Sequence, residues 1–502
     1  MKNTLAAIDV GAHSVRMLIV EADERDGSYE AIEELEVPVP LGSDVFKTGK
    51  ISNHSVELLC SVMKKFRTKL DEYKISEYRA IATSAVREAV NADVCLERIL
   101  HCSGIRLKIF TGADEARLGY LIVKNNIPAS FGFEKQKVML ADIGTGACQV
   151  SAYENGVIRF TETVRIGTLR LVENLSDTSA PSARIEYLAP MIASAFGEME
   201  YLSERLDCDW LILAGASVRA VFDMAGGKNG AKAVASLKRE QFEKIMQKAA
   251  SMTVEEIVRK CGIKSDLAEA VLPCCLMIDK LMRLTGAGKI VAPSISTKYA
   301  LVEDYIAEHV SKRDFFEPQI LGMSMQTALR YGCDPQRTKR VAEFAETLFG
   351  QTQSLHGLDP RDLLLLKVAA MLHKTGLFIS NQAYHKHSFY VVSNTDIAGL
   401  SAEERKTVAL IARYHRKSLP KPQHSEYMSL PAERRFAVNK LAGILRLACG
   451  LADAYPDGAR LKLRFGRGVV CVDGNARSRG ADTSGIDTSL FQYAFATKII
   501  FS

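Results

Sequence analysis

The sequence predicts an α/β protein built on a duplicated domain and followed by a largely helical half. Three observations carry this. Leu5–Val20 reads as an apolar run, the turn Asp9-Val10-Gly11-Ala12-His13 and a second apolar run; Val138–Tyr153 repeats the phrase around Asp142-Ile143-Gly144-Thr145-Gly146. Strand-like and helix-like stretches alternate through the first third of the chain. From about Phe315 onward, helical patterns dominate. One Asp-x-Gly is also ordinary hairpin chemistry. Two copies between matched apolar runs point to related halves with a phosphate cleft between them. Glycine turns let backbone N–H groups face one concavity, which cradles phosphate oxygens. An aspartate at the strand end is placed to hold a hydrated Mg²⁺ against them.

Taken in order, Tyr78–Ala82 is a short apolar strand, and Thr83-Ser84 opens a helix expected to run through Leu100. Leu107–Phe110 is a strand that stops at Thr111-Gly112. Thr111-x-x-Asp114 fits a capping box, so a helix should begin there with Glu115 in its first turn. Asn155-Gly156 marks the hairpin that closes the second Asp-x-Gly unit. Trp210–Ala214 reads as a buried strand entering Gly215-Ala216-Ser217 and another helix. Helices are predicted over Thr338–Leu348, Asp362–Leu372, Ala402–Tyr414 and Phe436–Ala452, with a boundary near 306–318. The tail returns to short strands, Leu461–Phe465 and Val469–Val472, with a loose Gly/Ser/Asp stretch at 474–486. Domains at 1–127, 128–306 and 315–502 follow.

Composition narrows the class. The 502 residues suit about two to four domains with real cores. No stretch of about 20 uncharged apolar residues is present, so no membrane helix is expected. The N-terminus enters a strand directly and lacks the apolar core of a signal peptide. Eleven scattered cysteines without a C-x-x-C suit reduced thiols in a cytoplasm and argue against a zinc site. The net charge of +6 is too diffuse to indicate nucleic acid and suits an anionic substrate equally well.

Several segments together resemble the Ppx/GppA phosphatases, exopolyphosphatases and guanosine pentaphosphate phosphohydrolases. They are Asp9 to Arg16, Ala82-Thr83-Ser84-Ala85-Val86-Arg87, Thr111 to Arg117 and Asp142-Ile143-Gly144. Similarity continues through Gly167-Thr168-x-Arg170 and Gly215-Ala216-Ser217, then through Ala370 to His373, Tyr384 to Ser388 and Arg413 to Lys417. The resemblance implies two actin-like (ribonuclease H-like, ASKHA) domains, an all-helical domain related to HD phosphohydrolases with a short β-containing tail, and a homodimer. It implies Mg²⁺-dependent phosphoanhydride hydrolysis, with inorganic polyphosphate or guanosine penta/tetraphosphate as partner and neither nucleic acid nor membrane.

Glu115 matches the family's catalytic glutamate, the base that orients the attacking water; a helix N-terminus favours an acid there in any case. Asp142 and Asp9 match metal-side aspartates, and turn formation is the plainer account of both. Arg87 matches a phosphate-contacting arginine, where a solvated helix charge is equally ordinary. Gly11, Ser14, Gly144, Gly146, Gly215 and Ser217 fall at phosphate-loop positions.

The chain also departs from the pattern. The family's Gly-Ser-Asn-Ser is Gly11-Ala12-His13-Ser14 here, and Gly-Gly-Gly-Ser-x-Glu is Gly144-Thr145-Gly146-Ala147-Cys148-Gln149. Ala147 removes a loop hydroxyl and Gln149 a metal-side carboxylate. Arg-Ala-Asp becomes Ala268-Glu269-Ala270, and Ser-x-x-Gly-Leu-Arg-Glu-Gly is replaced around Ser294–Ala300. Fewer carboxylates weaken Mg²⁺ binding, and each lost donor removes charge stabilisation of about 2.7–4 kcal/mol in other systems. A weakened or re-specified phosphatase is the first reading, a non-catalytic polyanion or nucleotide sensor the second, and a sugar or glycerol kinase a remote third.

In the helical half, His373, His385, His387 and His415 could suggest an HD metal cluster. Yet Lys374 stands where Asp should follow His373, and Arg337 and Cys449 occupy other ligand positions. The better expectation is a basic patch for a polyanion, formed by Lys386, Arg413, His415, Arg416 and Lys417 beside Tyr384 and Tyr414.

Overall fold

The computed structural model describes residues 2–23, 25–173, 181–197, 199, 207–225, 234–293, 296–309, 316–417, 419–455, 459–466, 468–474 and 482–501. Ser294 and Ile295, much of the 474–486 stretch and residues 310–315 of the expected boundary lie outside them. The chain divides into two compact units, Met1–Phe315 and Phe316–Ser502.

The first unit contains two sheets. The first runs in the order β3-β2-β1-β4-β5, with β1 (Lys2–Val10), β2 (Ser14–Asp23), β3 (Tyr29–Pro38), β4 (Tyr78–Ala82) and β5 (Lys108–Ile109). The second runs β10-β11-β9-β6-β7-β8, with β6 (Lys137–Ile143), β7 (Cys148–Glu154), β8 (Val157–Val164), β9 (Trp210–Ala214), β10 (Ala235–Lys238) and β11 (Lys289–Ala292). In each, three strands form an antiparallel meander and the next two add in parallel. The repeat in the sequence is therefore a repeat in topology.

The apolar runs of β1 are continuous because both of its faces are covered. Ala6, Ile8 and Val10 pack in one core with Leu59, Met63 and Phe66 of the helix Asn53–Glu72. Leu5 and Ala7 pack in another with Leu118, Leu121 and Ile122 of the helix Gly112–Asn126, and with Leu301. Full burial of each such side chain contributes about 1.5–3 kcal/mol. Asn155 (φ 52°) and Gly156 (φ 74°) both take the left-handed conformation that a two-residue β7–β8 hairpin needs.

The helix expected from Ser84 to Leu100 is instead two, Ser84–Glu88 and Ala92–Ser103. Asn91 breaks it by exchanging two hydrogen bonds with the backbone of Ile51, at 3.0 and 2.9 Å, while Val90 N–H donates to Gly49 O. A loop 40 residues away captures the backbone that helix continuation would use.

The second unit holds the helices Pro335–Gln351, Pro360–Leu372, Ala402–Tyr414 and Ala432–Ala454, among others. Its sheet runs β12-β13-β14, with β12 (Leu461–Gly466), β13 (Val469–Gly474) and β14 (Lys498–Phe501). The last strand and the preceding helix Ser489–Phe495 are not anticipated by the sequence reading. All eleven cysteines are free thiols. Among the described residues no helix is long and apolar enough to cross a membrane.

Candidate active site

Each Asp-x-Gly unit folds into the same turn. Gly11 N–H donates to Ser14 O at 3.0 Å, and Gly144 N–H donates to Ala147 O at 3.0 Å. The register is likewise repeated: Asp9 lies opposite Arg16 across β1–β2, and Asp142 opposite Gln149 across β6–β7. Both turns line one cavity of about 1120 Å³ within the first unit, together with Glu115, Gly146, Gly215 and Ser217. Gly215 requires glycine. Its φ is 119°, and a Cβ there would lie 2.3 Å from Ile143 O.

Three carboxylates meet in this cavity. Glu115 is delivered by the helix Gly112–Asn126, whose start is fixed by the predicted capping box between Thr111 and Asp114. Burial raises its carboxyl to about 7; Arg87 opposes the rise, while Asp142 and Asp9 add to it. Arg87 Nη1 holds Glu115 Oε1 at 2.5 Å and Phe110 O at 2.6 Å. Burial also brings Asp142 to about 6, with Asp9 adding and Arg16 opposing. Asp9 is raised by burial first and eased by Arg16 and Lys298. An acid raised toward neutrality suits proton transfer at physiological pH.

Asp9 adds to the raised proton affinity of Asp142, which is the situation a cation beside them relieves. Mg²⁺ is commonly held by one or two carboxylates, with waters and substrate phosphate completing its shell. The donor set fits that ion. Among the described residues no group of three or more His, Cys, Asp or Glu is arranged to hold a metal.

Other expected site residues sit differently. Ser14 is buried and donates to Glu36 Oε1 at 2.8 Å, while receiving Arg16 Nε at 3.2 Å. Neither Ser14 nor Arg87 lines the cavity. Gln149, where the family's carboxylate is missing, is clasped by β8: its Nε2 donates to Thr161 Oγ1 at 2.6 Å and its Oε1 accepts from Thr163 Oγ1 at 2.5 Å. Ser217 meets Thr168 Oγ1 at 3.1 Å.

Sequence reasoning missed three cations. Arg16 lies 3.5 Å from Asp9 Oδ2; its signal was the strand register opposite the aspartate. Lys298, nearly buried on the helix Thr297–His309, lines the cavity and holds Glu34 at 2.6 Å. No local pattern marks it. Arg170 Nε donates to Gly146 O at 3.1 Å, its Nη2 grips both Glu88 oxygens at 3.0 and 2.9 Å, and its guanidinium stacks 3.9 Å from the Phe46 ring centroid. It fixes the second loop from behind.

The basic patch of the second unit is corrected at one member. His415 is buried, and burial holds it at about 3, so it is a neutral ring and adds no charge. Arg413, Arg416, Lys386 and Lys417 do converge: after burial, their four charges push His385 down to about 4. Among the described residues none of the four has a carboxylate partner.

Comparison with known proteins decides the ancestry. Residues 19–310 match the Ppx/GppA phosphatase family, and residues 324–457 match its domain III. The chain belongs to the Ppx/GppA phosphatase family. A guanosine-5'-triphosphate,3'-diphosphate pyrophosphatase of Vibrio atlanticus is 23% identical over 450 residues, covering 88% of this chain and 86% of that one. Its namesake in Vibrio vulnificus is 22% identical over 448 residues, with 88% and 85% covered. Two solved structures share the fold. The Aquifex aeolicus Ppx/GppA family member has a TM-score of 0.53 at 20% identity, covering 61% of this chain and 99% of that one. An exopolyphosphatase from Cytophaga hutchinsonii has a TM-score of 0.55 at 20% identity, covering 61% and 98%. The duplicated sheets described above are thus the actin-like fold of Ppx/GppA proteins.

Proposed function

We propose that this Ppx/GppA member is a hydrolase acting on phosphoanhydrides, releasing the terminal phosphate of inorganic polyphosphate or a guanosine pentaphosphate. The carrying observation is the half-buried Glu115 carboxylate, held by Arg87 and facing the cavity that both glycine turns line; partial burial pushes it up to about 7. In this reading Glu115 takes a proton from the attacking water as it adds to phosphorus. Arg87 holds the carboxylate in place. Gly144 and Gly146 let the loop approach the phosphoryl oxygens, and Arg170 keeps it there. Asp142 and Asp9 would hold Mg²⁺, which supplies charge neutralisation on those oxygens. The eleven free thiols agree with a reducing cytoplasm. Phosphate release from long-chain polyphosphate and from pppGpp, with and without Mg²⁺, tests the proposal. Release no faster than that of Glu115→Ala would leave the sensor reading in possession, which the clasped and uncharged Gln149 favours.

Gln149 offers a graded test of the metal side. Asp142 and position 149 face each other across β6–β7, and the Thr161 and Thr163 hydroxyls can both donate to a carboxylate. Gln149→Glu is expected to lower the Mg²⁺ concentration for half-maximal activity and to raise turnover. A magnesium titration that superimposes on the wild type would show that this position does not serve the ion.

For the helical unit, the proposal assigns the Lys386, Arg413, Arg416 and Lys417 cluster to long polyanions. Such contacts are individually small, additive and salt-sensitive. Arg416→Glu with Lys417→Glu should weaken long-chain polyphosphate binding far more than binding of a short nucleotide, and the gap should narrow as salt rises. Equal weakening of both ligands, or of neither, would make the cluster ordinary solvated surface.

A further inference from the structure

Two of the eleven thiols meet on the outside of the first unit, away from the cleft. The helices Asn53–Glu72 and Ala92–Ser103 pack together through Leu59, Met63, Cys95 and Ile99, which share one core. Beside that contact the same helices leave a surface hollow of about 570 Å³. Cys60 and Lys64 line it from the first helix, Arg98 and Cys102 from the second. A spacing of four residues puts each of these pairs on one helix face, so the two faces look at each other across the hollow. Neither cysteine lines the larger cavity that holds Glu115.

The two thiols are 42 positions apart in the chain and adjacent in the fold. Cys102 Sγ donates to Ile99 O at 3.4 Å and reaches Cys60 O at 3.8 Å, and the two thiol groups hydrogen-bond to each other. Both are half-buried, and the hollow admits a small solute to them. Cys95 is the nearest competitor, but it is buried and lies seven residues before Cys102 on the same helix. That separation is about 10 Å along the axis, beyond the Cα span of about 4.4–6.8 Å that a disulfide tolerates. Geometry therefore pairs Cys102 with Cys60 and not with Cys95.

We propose that Cys60 and Cys102 form a modification site, a thiol pair that hydrogen peroxide closes reversibly into a disulfide bracing the two helices. Each sulfur gives up its proton and the two sulfurs join. The two electrons released break the peroxide O–O bond, and the two oxygens and four hydrogens leave as two waters. Burial first, and then the hydrogen bond with Cys102, holds the Cys60 thiol above the usual thiol range, while Arg98 opposes them. A protonated thiol reacts slowly, so the pair rests reduced and closes when oxidant is in excess. The bond would tie together two segments that the unfolded chain otherwise leaves free, which stabilises the fold by constraining the unfolded state.

The test uses the full-length protein, reduced, desalted, treated with hydrogen peroxide, blocked with iodoacetamide and digested with trypsin. Cleavage after lysine and arginine places Cys60 in the peptide Ile51–Lys64, Cys95 in Glu88–Arg98 and Cys102 in Ile99–Arg106, so mass spectrometry reads the three thiols separately. Ile51–Lys64 linked to Ile99–Arg106 is expected, and dithiothreitol should release it. The oxidised wild type should melt about 3 °C or more above its reduced form. Cys60→Ser and Cys102→Ser should each lose both the linked peptides and the gain in melting temperature. Either variant serves alone should the other fold poorly, because each removes one end of the same bond. These readouts need no phosphatase activity, so they stand or fall separately from the role of Glu115. Absence of the linked peptides, linkage through Cys95 instead, or an oxidised wild type that melts no higher than the oxidised serine variants would overturn the proposal.

Discussion

Glu115→Gln is expected to lower kcat by about 10²–10⁴-fold, the range that general-base catalysis supplies, with a smaller change in KM. The amide keeps the shape and can still accept from Arg87, whose Nη1 also has Phe110 O, but it cannot take a proton from water. Wild-type kcat should rise with pH through about 7 as the carboxylate forms, whereas the residual activity of the variant should lose that inflection. Stability gives an independent readout. A carboxyl raised on folding contributes stability that is intact below the ordinary carboxylate range and lost as pH climbs to about 7. The Gln variant lacks this loss, so it should melt above the wild type at pH 8 and lose its advantage near pH 4. Burial first, and then Asp9, raises Asp142 to about 6, so removing the Asp9 charge should lower it. A wild-type kcat retained by Glu115→Gln, or a flat pH profile, would remove Glu115 from the role of base.

What could be read in the sequence was what short segments decide alone. The two Asp-x-Gly turns were legible because a glycine turn between strands buried on both faces leaves continuous apolar runs on either side. The entry of Glu115 was legible because Thr111 and Asp114 cap each other within one turn. Contacts between distant segments were not legible. Asn91 ends a helix through Ile51, and Arg170 holds Gly146 and Glu88 from opposite directions. Lys298 enters the cavity from a mixed polar and apolar helix with no local pattern that marks it. His415 sits in a run of basic residues and reads, from sequence, as one more cation. Its place beneath Tyr384, with Nδ1 turned onto its own helix, makes it a neutral core ring instead. Arg16 lies between these cases: its position opposite Asp9 follows from strand register, and only the burial of the pair shows that it matters.

Gly167→Ala tests whether the second loop must be held where it is. The backbone there is not left-handed, so glycine is required for space alone: a Cβ would lie 2.3 Å from Thr145 O and 2.5 Å from Gly146 N. Around it, Thr168 N–H donates to Gly144 O at 3.2 Å and Leu169 N–H to Thr145 O at 3.0 Å, so the start of the helix Thr168–Glu173 grips the Gly144–Gly146 turn. A methyl group cannot enter without parting them, and Arg170 would lose its aim at Gly146 O. Displacing catalytic groups by ~1 Å costs about 10²-fold in rate, and overpacking of this kind about 1–3 kcal/mol in stability. Gly350→Ala is the matched control. It is exposed near the end of the helix Pro335–Gln351, and its Cβ would meet nothing within 4 Å. Replacing a helical glycine by alanine there should add about 0.5–1 kcal/mol of stability and leave kcat unchanged. Both variants are compared by thermal melting and by phosphate release at saturating polyphosphate. A Gly167→Ala enzyme with wild-type kcat would mean that the chemistry does not use the Gly144–Gly146 turn, whatever the variant's stability.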